Sequence, residues 1–136
     1  MPRSCAAWSP DEARILAALA DGEPRPAVDV VLRGQFRGGG RMVLANASSV
    51  GRAAGVSAPE YVPLYVTRLL RAGVVDLGEE DPDLAEQYDI LLTDQLVRDA
   101  VASARSERGS LRTLRHTVVL SELGRRFWQA TDSTIA

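Results

Sequence analysis

Val66-Thr67-Arg68-Leu69-Leu70-Arg71-Ala72-Gly73-Val74-Val75-Asp76-Leu77-Gly78 reads as the end of a helix, a glycine stop and a short apolar strand. Further on, Thr117-Val118-Val119-Leu120-Ser121-Glu122-Leu123-Gly124-Arg125-Arg126-Phe127 reads as a strand entering a last helix. An acidic stretch separates the two. A helix, a tight stop, a strand and a returning strand make the frame of a winged helix. The fold class expected is therefore α+β, mainly helical: a winged helix-turn-helix with a helical insert in the wing. Such folds serve both nucleic acids and protein partners, so function must be argued from surfaces.

Working outward, Ser9-Pro10-Asp11-Glu12 is a helix start, with Ser as N-cap, Pro at the first helical position and Glu closing a capping box. Ala13, Leu16, Ala17, Leu19 and Ala20 supply its inward stripe and Gly22 its stop. Val28 to Leu32 and Met42 to Ala45 are β-prone runs joined by a glycine-rich loop, a short helix over 27–33 being the alternative. Ser48 or Ser49 caps a short second helix that Gly55 ends. Ser57-Ala58-Pro59-Glu60 offers a capping box for a third helix running to Arg71, with Pro63 requiring a late start or a bend. Val62, Val66, Leu69 and Leu70 make the buried stripe of that helix, with Tyr65 at its margin. Tyr61, Leu64, Arg68 and Arg71 share its outward face, as a candidate contact with a partner protein or a DNA groove.

After the strand Val74 to Leu77, the turn Gly78-Glu79-Glu80-Asp81-Pro82-Asp83 leads into a helical stretch from Leu84 to Arg105, broken near Thr93-Asp94. Ser106 to Leu114 reads as a polar loop, His116 to Leu120 as the returning strand, and Ser121 as the cap of the last helix. Arg105, Arg108, Arg112 and Arg115 form one basic cluster in that loop, either a phosphate contact or a counter-charge for the acidic insert. One domain over 1–136 is expected, with 1–8 a disordered tip and 79–115 the insert. A homodimer through the inserted helix is a further expectation, by which Leu92→Arg or Leu96→Arg leaves a folded monomer.

Composition narrows the function classes. The 136 residues are 46% hydrophobic, enough for one core. No apolar run reaches the roughly 18 to 20 residues that span a bilayer, and no signal peptide is seen, so a soluble, cytoplasmic protein with no membrane contact is expected. All 16 basic residues are Arg, which excludes P-loop, Schiff-base and Ser-x-x-Lys chemistry. Cys5 is the only cysteine and His116 the only histidine, neither with catalytic company in sequence. No enzyme, cofactor, metal or small-molecule site is expected, and the acids of Glu79 to Asp89 do not match a calcium loop. Residues 1–78 hold 9 Arg against 7 acids, 79–102 hold 1 against 8, and 103–136 hold 6 against 3. Phe36-Arg37-Gly38-Gly39-Gly40-Arg41 resembles a single RGG-type element, though a hairpin tip explains it as well.

In this order the chain resembles the C-terminal region of the Abi-alpha family, bacterial proteins named for abortive infection, the phage-defence response. The matching residues are Ser9-Pro10-Asp11-Glu12-Ala13-Arg14-Ile15-Leu16, Tyr65 through Val75, Tyr88, and Val119-Leu120-Ser121-Glu122-Leu123-Gly124-Arg125-Arg126-Phe127. The resemblance implies a defence-related context and brings no catalytic motif. Combined with the surface reading, it suggests a non-enzymatic module acting through protein contacts or self-association. The alternative is a DNA-binding regulator using the third helix and the Arg105 to Arg115 segment.

Overall fold

The computed structural model describes residues 8–34 and 40–135, with side chains described to residue 131. Cys5 and the Phe36 to Gly39 part of the RGG-type element lie outside the described residues. Among the described residues six α-helices, α1 Pro10–Leu19, α2 Val50–Ala54, α3 Val62–Arg71, α4 Ala85–Leu92, α5 Gln95–Ala104 and α6 Glu122–Ile135, surround four strands. These are β1 Arg25–Arg33, β2 Gly40–Ser48, β3 Val75–Glu79 and β4 Ser110–Leu120, forming one antiparallel sheet in the order β2-β1-β4-β3.

The sheet separates two cores. Adjacent residues of a strand point to opposite faces. Ala27 accordingly joins Ile15, Leu16, Val66, Leu69, Val118 and Leu120 on the side of α1 and α3, while Val28 and Val30 join Tyr88, Leu91 and Val97 of the insert on the other. The 80–109 insert thus forms a third layer behind the sheet, held by its own apolar contacts. Leu92 packs partly buried against this second core, and Leu96 is half-buried.

The two segments that define the frame lock together through Ser121. Its hydroxyl donates to the Gly73 carbonyl at 2.6 Å and accepts the Gly124 N–H at 2.9 Å, and its own N–H reaches the Val74 carbonyl at 3.0 Å. Gly73 has φ +80°, the left-handed region that ends a helix, and a side chain on Gly124 would overlap the Val74 carbonyl.

Several expectations change. The capping box of α1 forms, but Ala13 and Ala17 are exposed; the buried face runs through Asp11, Glu12, Ile15, Leu16 and Leu19, because hydrogen bonds let two acids replace apolar residues there. The box at Ser57 does not form: a 3-10 turn, Pro59–Tyr61, precedes α3, and Ser57 gives its N–H and hydroxyl to Asp11. Pro63 lies in the first turn of α3, where its missing N–H has no partner to lose. The supposed loop Ser110 to Leu114 is strand, because β1 is long enough to pair with β4 from Ser110 to Val118. Trp8, assigned to the loose tip, packs edge-on against Phe127 with ring centroids 6.4 Å apart. The break at Thr93 is a real one, with Asp94 capping α5 through the Leu96 N–H at 3.0 Å.

Candidate interaction surface

α3 has the right pattern for a presented helix. Val62, Val66 and Leu69 are buried, while Tyr61, Leu64, Arg68 and Arg71 face solvent, Tyr61 and Leu64 each about half exposed. Leu64, Arg68 and Arg71 are exposed on α3 itself, and Tyr61 is exposed in the 3-10 turn before it. Their freedom differs. The Arg68 Nε stands 3.1 Å from Oε2 of Glu12, a carboxylate with no exposed surface, in a pose too skewed for a formed hydrogen bond. Arg71 has no ion-pair partner among the described residues.

Asp11 fixes the approach to α3. Its carboxylate accepts from Ser57 N–H at 2.8 Å, Ala58 N–H at 3.0 Å and the Tyr65 hydroxyl at 3.0 Å, and pairs with Arg14. The Ser57 N–H holds the carboxyl well below the usual carboxylate range; burial opposes this, and the Ala58 and Tyr65 donors reinforce it. Burial, and then the bond to Asp11, push the Tyr65 phenol up.

The opposite flank of α3 rests on a polar bed that sequence reasoning missed. Thr67 Oγ1 donates to the Pro63 carbonyl at 2.8 Å and accepts from Asn46 Nδ2 at 3.0 Å. Asn46 has φ +63°, its N–H reaches Asp29 at 2.8 Å, and Nε2 of His116 is 3.4 Å from its Oδ1 and 3.8 Å from Asp29 Oδ1. The His116 ring thus joins β4 to two other strands, β1 through Asp29 and β2 through Asn46. No local signal announced this, because the four residues come from four segments.

Arg105, Arg108, Arg112 and Arg115 do not form one cluster. Arg105 follows α5 and lines a hollow of about 460 Å³ with Leu92, Val97 and Thr113, while Arg108 lies in the turn before β4. Arg112 and Arg115, three apart on β4, point to opposite faces. Arg115 lies over the Tyr88 ring, 5.4 Å from its centroid, near Glu80 at 3.6 Å and Asp89 at 3.9 Å. For this arginine the acidic insert is the counter-charge. Tyr88 is fully buried; its hydroxyl donates to the His116 carbonyl at 2.6 Å, and burial raises its pKa. Arg112 faces the α1 and α3 side, the same side as Arg71. Arg52 meets Asp94 at 3.8 Å where the insert touches α2, beside a cleft of about 90 Å³. Among the described residues, no group of three or more His, Cys, Asp or Glu could hold a metal, and no helix is long and apolar enough to cross a membrane.

The sequence model of one family, abortive infection alpha, matches residues 8–131. The chain belongs to the abortive infection alpha family. That match takes in every element from α1 into α6. One solved structure, described as that of an uncharacterized protein from the hydrocarbon-degrading marine bacterium Alcanivorax borkumensis SK2, is similar at 31% identity with a TM-score of 0.74. The similarity covers 96% of this chain and 90% of that one. No curated protein matches.

Proposed function

We propose that this member of the abortive infection alpha family is a winged-helix interaction module that works in bacterial phage defence through protein contacts, without catalysis. The winged-helix part of this reading is supported by the neighbour order β1-β4-β3, by α2 and α3 joined through the left-handed Gly55, and by the β3 and β4 pair that follows α3. The observation that carries the protein-contact part is the state of the α3 face. Tyr61 and Leu64 are exposed, and Arg68, 52% exposed, stands beside the buried Glu12 carboxylate at 3.1 Å. An aromatic residue, a leucine and an arginine side by side suit a protein surface, where aromatic residues and Arg are enriched. Membership of the family supplies the defence context.

A second reading, a DNA-binding regulator, is favoured by one observation: Arg71 and Arg112 lie on the same side of the sheet without ion-pair partners among the described residues. The test is binding to a random pool of duplex DNA at low and moderate salt, comparing the wild type with Arg71→Ala combined with Arg112→Ala. Under the interaction-module reading neither protein retains DNA at moderate salt. Salt-dependent retention lost in the double variant would establish the regulator instead.

A further inference from the structure

The sheet is covered along only half its length on the α1 and α3 side. Ala27, Val75, Val118 and Leu120 lie in the core. Residues opposite one another in an antiparallel ladder share a face, so the pairings Val31 with Met42 and Arg112, and Asp29 with Leu114, extend that face beyond the helices. There Met42 is 51% exposed and Leu114 42%. Arg33 and Arg112 stand on this open half, with no ion-pair partner among the described residues. Of its two acids, Asp29 is engaged by the Asn46 N–H and faces His116, and Glu79 lies at the β3 margin.

The insert carries the complementary surface on the other side of the molecule. Glu86, Asp89 and Ile90 of α4 fall three and four residues apart on its outward face, and Ile90, at 61%, is the most exposed large hydrophobic among the described residues. Asp89 is held only loosely, 3.9 Å from Arg115. With 8 acids against 1 arginine, residues 79–102 have the opposite charge to the segment that follows them. An open sheet face is ordinarily covered by a helix.

We propose that the acidic face of α4 in one copy docks on the open sheet face of the next, so that the chain associates head to tail. Ile90 supplies the apolar centre against Met42 and Leu114, and Glu86 and Asp89 the counter-charge for Arg33 and Arg112. The two patches are different surfaces, so the contact is heterologous and propagates into a ring or filament. This rests on the reading of the chain as an interaction module.

Sedimentation velocity of the full chain over a range of concentrations and salt tests it. The wild type gains mass with concentration and loses it with salt. Arg112→Glu destroys the sheet patch and Ile90→Asp the helix patch; each variant alone is monomeric, and their equimolar mixture gives a discrete dimer, because one intact patch of each kind remains. Circular dichroism checks folding, and Arg33→Glu or Glu86→Ala replaces a variant that misfolds. A monomeric wild type, variants that still associate, or a mixture that stays monomeric overturns the head-to-tail contact. Fluorescence anisotropy with duplex DNA on the same samples separates the two failures: a monomer that ignores DNA leaves the module reading in place, and a monomer that binds DNA removes both.

Discussion

Arg68, on the outward face of α3, is the counter-ion of Glu12, a carboxylate buried at the start of α1, with 3.1 Å between Nε and Oε2. The same glutamate closes the capping box by accepting the Ser9 N–H at 2.9 Å. An arginine that looks like a contact residue is therefore also part of the core's charge balance. Arg68→Ala leaves a buried charge unpaired and costs about 2 kcal/mol, whereas Arg71→Ala, at an exposed position, stays within about 0.5 kcal/mol. Urea denaturation of both variants checks this, and equal stabilities would show the pair to be idle. Any binding assay on Arg68 variants must carry that stability control.

Acid sensitivity follows from Asp11. Its folded pKa is depressed below the ordinary 3.8, so its contribution to stability is full above that value and is lost as pH falls through it toward the lower folded value. Asp11→Asn is expected to lower the thermal midpoint at pH 7 and to flatten its fall below about pH 4. Thermal melts from pH 7 to pH 2 give the comparison; parallel curves for the two proteins would remove Asp11 as the source.

The Ser121 lock predicts a pair of effects. Ser121→Ala loses the bond to the Gly73 carbonyl and the cap on the Gly124 N–H, for about 1–2 kcal/mol. Gly124→Ala drives a methyl group into the Val74 carbonyl, which is backbone and cannot swing aside, and costs at least as much, about 1–3 kcal/mol. Chemical denaturation measures both, and a neutral Gly124→Ala would mean that α6 can shift on the sheet.

Tyr88 anchors the insert. Tyr88→Phe removes only the hydrogen bond to the His116 carbonyl, worth about 1 kcal/mol. Tyr88→Ala empties the centre of the second core, and Leu92→Arg buries a charge in it, so each is expected to release the insert. Limited proteolysis should then cut within residues 80–109 while α1 to α3 stay protected. Resistance equal to that of the wild type would show the insert to be held by other contacts.

The local grammar of the fold was readable in the residues because it is written in neighbours. Ser9 and Glu12, the glycine stop at Gly73, the capping Ser121 and the break at Thr93 each act over three or four positions, and short-range geometry decides them. The outward stripe of α3 followed from helical periodicity for the same reason. What the sequence left open depended on partners far along the chain. The length of β4 was decided by β1, which offered it a ladder of backbone donors and acceptors, and that pairing divided Arg112 from Arg115. The Asp29, Asn46, Thr67 and His116 bed joins four separate segments. The side on which the insert packs, the holding of Arg68 by Glu12 and the uncovered half of the sheet arise only when the layers close. Burial and charge pairing between distant residues are properties of the packed chain, and no local pattern carries them.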